Sequence, residues 1–362
     1  MINYIIDKDV LSANVSIIKQ LAGTTPIIAV IKCDGYGMGL VQYARFLSYR
    51  GIEMFGVSAL EEAIALKKAG IVGEVILLTS NAVAEDCEEI VKNEIIATVG
   101  SMEAAIALDE AGKKLEMQPR AHIEINTGMG RCGFPWDNVL WSYELKKLNI
   151  NFSGTFTHYS FSFSKDEKDL KVQTDKFKAA VKKLNSCGFE TGMLHAANSH
   201  AFLKYSRSHM DAVRIGSAFV GRVSEAGSFD LKPVGYFESK VVDVNTIKKG
   251  ENIGYGNTYK AKRNIKTAII PVGYYHGYMT EKSKDTFRLR DIIRYILGDL
   301  RPKKLYVKIG NEKFKIIGRV ATMNVIADVT GSAVNPGDVA LLPGNPIMVD
   351  SGIEKVYRGK DL

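Results

Sequence analysis

The chain has 362 residues, 46% hydrophobic and 24% charged, an ordinary soluble composition for one very large domain or two. No apolar run approaches a membrane span, and MINYIIDKDV at the N-terminus lacks the basic region and apolar core of a secretory signal; cytoplasm is the expected location, with no membrane partner. The net charge of +8 favours anionic ligands, but the lysines are spread through helical segments such as Lys165–Lys183 rather than gathered in one stripe with interleaved aromatics, so nucleic acid is not an expected partner.

A first helix is predicted over Asp9–Leu21. It leads to Ile27–Gly39, IIAVIKCDGYGMG, the stretch around which the chain is organised. Ile27–Ile31 is an uninterrupted apolar run rich in β-branched residues, which suits a strand buried on both faces. Lys32 ends the run, and Gly35, Gly37 and Gly39 break up the backbone beyond it. At the mouth of a buried strand, desolvation disfavours the ammonium form and makes a reactive amine accessible. A lone lysine there reads equally well as one that simply reaches solvent. Tyr36 tilts the balance, because a hydroxyl in a glycine-flanked turn can donate to an anion that backbone amides also approach.

Further strand-like runs follow at Met54–Val57, Val75–Thr79, Ile95–Val99, Ala121–Ile125, Phe152–Thr157, Met193–Ala196 and Ala212–Ile215. Amphipathic stretches of helical length lie between them, among them Ala59–Ala69, stopped by Gly70, and Asp166–Cys187 with Leu170, Phe177, Val181 and Leu184 at helical spacing. Eight strands alternating with helices predict a (β/α)8 barrel, a fold of roughly 250 residues. A doubly wound open sheet is the competing topology, and no GxGxxG follows the first strand to support it. In a barrel the chemistry sits at the C-terminal strand ends. Lys32, Ser58, Glu124, Asn126, His158, His195, Asn198, Arg214 and Gly216 fall there. Charged residues in apolar strands are unfavourable unless paired, so several at equivalent positions point to a site.

Near residue 225 the pattern changes. Ser239–Val244, Thr267–Val272, Leu305–Ile309, Lys313–Ile317, Val325–Val329 and Val339–Leu342 read as strands of a smaller, mostly β domain. The predicted division is 1–228 and 229–362. Lys282–Gly298 is the exception, a charged segment with helical character. Cys33, Cys87, Cys132 and Cys187 are scattered without CxxC spacing, so free thiols are expected and no metal site.

Taken together, the motifs resemble those of the alanine racemases, barrel-plus-β-domain enzymes that use pyridoxal 5′-phosphate. The segment AVIKCDGYGMG is followed in order by FGVSALEEAIALKKAG (55–70), NTGMGRCGF (126–134), FTHY (156–159), HAANS (195–199), VRIGSA (213–218), IGYGNTY (253–259), IPVGY (270–274) and GRV…DVT (318–330). Each is weak alone; their joint occurrence in that order is specific. The resemblance implies an amino-acid racemase that interconverts L- and D-alanine with two bases and supplies the D-isomer for peptidoglycan. It implies that Lys32 carries the cofactor as an aldimine and, once freed, serves one face of the substrate Cα, with Tyr255 serving the other. Tyr36, Ser199 and the amides of Gly216 and Ser217 would hold the phosphate, with Asn198 among the cofactor contacts and Tyr357 a further phosphate candidate. Arg214 would face the ring nitrogen, Arg131 the phenolic oxygen and substrate carboxylate, and Tyr274 and the backbone of Thr322 the substrate. His158 would link to Tyr255, and His195 would orient Arg214. The resemblance also implies that Tyr255 comes from the other subunit of a head-to-tail homodimer. Because a guanidinium only donates, Arg214 would leave the ring nitrogen unprotonated and the cofactor a weaker electron sink, which favours racemisation over decarboxylation.

Two positions depart from the family pattern. Glu124 stands where a lysine, often carbamylated, pairs with the arginine; a carboxylate is anionic without modification and would orient Arg131 with no need for bicarbonate. Ala321, Thr322 and Met323 replace the usual Cys-Met-Asp, which changes pocket size and polarity and leaves serine or a larger amino acid as an alternative substrate. A non-catalytic pyridoxal-phosphate-binding protein is a further alternative, opposed by Tyr255, and a barrel decarboxylase another, opposed by Arg214. The segment between Tyr274 and Gly318 is longer than the family norm and would cover the entrance or extend the dimer interface.

Overall fold

The structure, a computed structural model, describes residues 2–164, 166–281, 289–300 and 304–360. The chain divides into two compact units, Asp9–Pro233 and Met1–Lys8 with Val234–Leu362.

In the first unit every strand run read from the sequence is present: Ile27–Val30 (β2), Met54–Val57 (β3), Glu74–Ser80 (β4), Ile96–Val99 (β5), Arg120–Asn126 (β6), Asn151–Phe156 (β8), Met193–His195 (β9) and Val213–Ile215 (β10). Strand β1 is Asn3–Asp7, and β7 a two-residue pairing of Phe134–Pro135 against β6. The eight run parallel in the order β10-β2-β3-β4-β5-β6-β8-β9, and a parallel bridge from His195 to Ala212 joins the ends. The helices Lys8–Ala22, Leu60–Lys68 and Lys168–Ser186 stand where amphipathic spacing places them.

Side chains alternate along a strand, so residues two apart share a face. Ile28, Met54, Ile76, Ile96 and Ala212 form one buried apolar cluster, with Leu78 and Met193 packed on it. Two or four residues onward on the same faces come Val30 and Lys32, Ser58, His195, and Arg214 with Gly216. On β2, β3, β9 and β10 this face thus begins as core and ends as a polar site, the order that the barrel fold requires.

The second unit is built on a nine-stranded sheet. Its strands are β1, Tyr236–Lys240 (β11), Asp243–Ile247 (β12), Ile265–Ile270 (β15), Tyr306–Ile309 (β16), Glu312–Ile317 (β17), Val325–Asp328 (β18), Val339–Pro343 (β19) and Glu354–Arg358 (β20); a hairpin of Asn252–Ile253 (β13) and Tyr259–Lys260 (β14) stands apart. Two expectations are corrected here. The run Ser239–Val244 is not one strand: it straddles the end of β11 and the start of β12, broken at Val241 and Val242. The first eight residues lie in the β unit rather than with the barrel, because β1 pairs antiparallel with β11 and parallel with β20. Tyr4 seals this arrangement, edge-on to Phe237 at 5.2 Å with its hydroxyl donating to the Gly344 carbonyl. A helix spans Leu289–Asp299; the preceding 282–288 of the segment read as helical lie outside the described residues. No helix among the described residues is long and apolar enough to cross a membrane.

Candidate active site

The polar strand ends enclose a cavity of about 230 Å³ lined by Lys32, Tyr36, Ser58, Thr79, Arg131, Phe156, His158, Asn198, Ser199, His200, Arg214, Gly216 and Ser217, among others. The structure thus gathers most of the residues singled out in the barrel sequence, and adds Thr79, Phe156 and His200.

Lys32 leaves β2 directly into a turn in which Cys33, Asp34, Gly35 and Tyr36 are all left-handed, with φ between 53° and 64°. Three of the four are not glycine, although only glycine adopts this region freely. Asp34 holds the turn: its backbone N–H donates to Glu62 Oε1 at 2.9 Å, and its own Oδ1 accepts from Leu40 N at 2.8 Å. The result places the Tyr36 hydroxyl against Gly216, where a Cβ would come within 2.5 Å of Oη. Desolvation, with a smaller contribution from Cys33, pushes the Tyr36 phenol up to about 12, so it remains a neutral donor.

Ser199 opens the short helix Ser199–Lys204, and its Oγ accepts from the amides of Gly216 at 3.0 Å and Ala218 at 3.2 Å. Its hydroxyl proton is left to donate elsewhere. The Gly216 amide is engaged with Ser199, which differs from the direct anion contact expected of it. Asn198 Oδ1 accepts from Ala201 N at 3.1 Å and caps the same helix. Tyr36, Ser199 and the glycine turn together make a concave, neutral, donor-rich cradle suited to a phosphate.

Arg214 is 3% exposed, and burial lowers it only to about 10, so it stays charged. Nη1 donates to His195 Nδ1 at 2.7 Å and to the His195 carbonyl at 3.0 Å. Nη2 donates to the carbonyls of Thr157 at 2.8 Å and Ala196 at 3.1 Å, with His158 Nδ1 at 3.4 Å. Only Nε–H lacks a protein acceptor among the described residues, on a side chain that lines the cavity. The site therefore offers one fixed donor to an acceptor on a ligand. His195 lies behind Arg214 rather than in the cavity, stacked on Phe156 at 4.9 Å and 12°, and its Nε2 meets His122 Nδ1 at 2.8 Å. Burial holds all three histidines neutral: His158 falls to about 3, His122 to about 4, and His195 well below its ordinary value.

His122 escaped the sequence reading, though a signal for it existed. In β6, His122 shares a face with Glu124 and Asn126, opposite Ala121, Ile123 and Ile125. Glu124 is buried, with Oε1 3.6 Å from Arg131 Nη2 and Oε2 buried without a partner. Burial raises its carboxyl above the ordinary range, against the pull of Arg131 and Arg214.

Tyr255, Tyr274, Thr322 and Tyr357 belong to the β unit. Tyr255 sits on a turn, Tyr255–Asn257, between β13 and β14, and is 74% exposed. The Thr322 hydroxyl donates to Tyr274 Oη at 2.6 Å, while Tyr274 N donates to the Ala321 carbonyl at 3.1 Å. Tyr357 lies in β20, paired in register with Ile6. All four cysteines are free, and no metal-binding cluster exists among the described residues.

An amine, one fixed donor and a phosphate cradle around a single cavity fit an aldehyde that carries a ring-nitrogen acceptor and a phosphate, as pyridoxal phosphate does. Two family models match this chain in tandem: "Alanine racemase, N-terminal domain" over residues 6–223 and "Alanine racemase, C-terminal domain" over 234–357. An alanine racemase of Treponema denticola is 32% identical over 337 residues, 91% of this chain and 83% of the relative. One from Clostridium perfringens is 31% identical, over 94% of this chain and 85% of its own length. Among solved structures, the alanine racemase of Clostridium difficile 630 superposes with a TM-score of 0.81 at 26% identity, over 98% of this chain and 88% of that one. The enzyme of a D-cycloserine-producing Streptomyces lavendulae shares the fold, with a TM-score of 0.84 at 22% identity, over 99% of this chain and 97% of that one.

Proposed function

We propose the following division of labour for this chain, which belongs to the alanine racemase family and is a pyridoxal-phosphate-dependent amino-acid racemase. Bound pyridoxal phosphate supplies an electron sink for the pair released when the substrate Cα–H is broken. Lys32 holds the cofactor and then moves the Cα proton on one face. Tyr255 of the partner subunit moves it on the other. Tyr36, Ser199, Ser217 and the Gly216 turn hold the phosphate, with Asn198 fixing the helix that carries Ser199 and Tyr357 a further candidate. Arg214 gives its free Nε–H to the ring nitrogen; being a donor only, it keeps that nitrogen unprotonated. His195 orients Arg214, and His158, kept neutral, links it toward Tyr255. Arg131, aligned by Glu124, receives the substrate carboxylate, while Tyr274 and the Thr322 backbone bound the substrate.

The observation that carries this reading is the geometry of Arg214, whose amino groups are all committed to the protein and whose one remaining donor belongs to a cavity-lining side chain. The exposure of Tyr255 on a turn supports a role toward a second copy. A head-to-tail homodimer acting in the cytoplasm, making D-alanine for peptidoglycan, follows from that reading. Mixing Lys32→Ala with Tyr255→Phe tests it. In a composite dimer, equal mixing after subunit exchange restores about one quarter of wild-type activity, because half the dimers are hybrid and each has one intact site. If Lys32 and Tyr255 of the same copy form the site, no activity returns.

A further inference from the structure

We infer that His122, which plays no part in the scheme above, is a positioning residue: it fixes the proton of His195 on Nε2 and thereby the aim of the Arg214 guanidinium. The inference rests on Arg214 facing the ring nitrogen, as proposed above.

The direction of each hydrogen bond in this chain follows from Arg214. A guanidinium has five N–H donors and no acceptor. With Arg214 Nη1 at 2.7 Å, His195 Nδ1 must be bare, which excludes both the imidazolium and the Nδ1–H tautomer. The ring proton of His195 therefore sits on Nε2. That nitrogen lies 2.8 Å from His122 Nδ1, which must accept, so His122 carries its own proton on Nε2. Reversing the first bond would set two protons against each other, and reversing the second alone would leave His195 an imidazolate with no ring proton.

The surroundings are shaped to hold this arrangement. His122 is paired in register with Gly154, and a Cβ at residue 154 would come within 2.7 Å of three atoms of the His122 ring. The ring thus occupies a slot that only glycine leaves open. Phe156, two residues on, stacks against His195 and lies 5.1 Å beneath the Arg214 guanidinium carbon. Without an acceptor at residue 122, His195 would carry a buried unpaired N–H. It would relieve this by moving the proton to Nδ1 or turning its ring, and either change removes one of the two acceptors of Arg214 Nη1. The carbonyls of His195, Thr157 and Ala196 would still hold the arginine, so its aim loosens without release.

The test is nitrogen NMR of the ¹⁵N-histidine-labelled holoenzyme, whose six histidines are assigned by single substitutions. In the wild type, His195 and His122 are both expected as neutral Nε2–H tautomers. In His122→Leu, His195 leaves that tautomer, the cofactor absorption band shifts, and kcat falls about tenfold with little change in KM. His122→Asn sets an amide oxygen near the former Nδ1 position and restores both the His195 signature and kcat. Gly154→Ala displaces the His122 ring without altering its chemistry and reproduces the spectral change, which keeps the test decisive should His122→Leu not fold. Unchanged His195 shifts in either disruptive variant, or an Nδ1–H His195 in the wild type, overturn the inference. Correct tautomers in a protein that neither binds pyridoxal phosphate nor racemises would instead overturn the proposed function.

Discussion

In the barrel, Arg214 is buried, and its amino groups are tied to three backbone carbonyls and two histidines; in the β unit, Tyr255 stands 74% exposed on a turn flanked by Gly254 and Gly256. The first kind of group is preorganised by its own chain, and its geometry can be read from one copy of the molecule. The second carries its chemistry on an open surface and depends on what approaches it. On the proposed division of labour, the contrast separates the unit that carries most of the cofactor contacts from the unit that contributes a reactive group. It also says where substitutions should act on binding and where on turnover alone.

The largest effect that would sharpen this contrast is at Lys32. Lys32→Ala is expected to lose cofactor attachment, seen as loss of the visible absorption band, together with roughly 10⁴-fold of activity, whereas Tyr255→Phe keeps the band and loses about 10²-fold or more. A Tyr255→Phe protein without the band would break the division. Next is Gly216→Ala. The added methyl meets Tyr36 Oη at 2.5 Å, so pyridoxal phosphate should bind about 10- to 100-fold more weakly. Binding of pyridoxal, which has no phosphate, should hardly change; an equal loss for both would remove Tyr36 from the phosphate cradle. Smaller still is Glu124→Gln, expected to raise the KM for alanine several-fold, on the order of one half-exposed ion pair at 3.6 Å, with added bicarbonate making no difference in either protein. An unaltered KM would show that Arg131 needs no carboxylate.

The mildest expectation concerns pH. His122 and His158 are held near 4 and 3 in the folded protein by burial and by neighbouring cations. Unfolding frees them to take up protons below about 6.5, so the unfolded state binds more protons and stability falls as pH drops from there toward 4. Glu124, raised by burial, runs the other way, its contribution being lost as pH rises through its folded value. Melting temperatures should therefore decline from pH 6.5 to pH 4 less steeply in His122→Asn than in the wild type. Parallel curves would mean that His122 does not titrate on unfolding.

The barrel was legible because short, largely buried strand runs such as Ile27–Val30 and Met54–Val57 alternate regularly with amphipathic helical stretches. A polar side chain that ends such a run is costly to bury without a partner, so it marks the place where the core opens onto a site. Lys32 and His158 announced themselves in this way, and Glu124, His195 and Arg214 as polar residues inside otherwise apolar strand runs. Strand β1 did not, since its partners lie at residues 236–238 and 354–358 and nothing local marks so distant a pairing. Glycine spacing revealed the turn after Lys32 but not its hand, because Cys33 and Tyr36 carry no preference for left-handed backbone. His122 was within reach: the alternation that exposed Glu124 applies two residues earlier. The division of Ser239–Val244 was not, because Val241 and Val242 are as strand-prone as their neighbours and the break is set by the sheet.

The turn that follows Lys32 also bears on how this protein can drift in evolution. Over four residues the main chain winds in the mirror-image sense, a hand disfavoured for L-residues by about 1–2 kcal/mol each. Valine, isoleucine and threonine are therefore the least favoured residues at 33, 34 and 36, while glycine, asparagine and aspartate are favoured at 33 and 34. Within this turn the one aromatic ring to keep the disfavoured hand is that of Tyr36, and the phosphate contact proposed for its hydroxyl would give selection a reason to tolerate the tension.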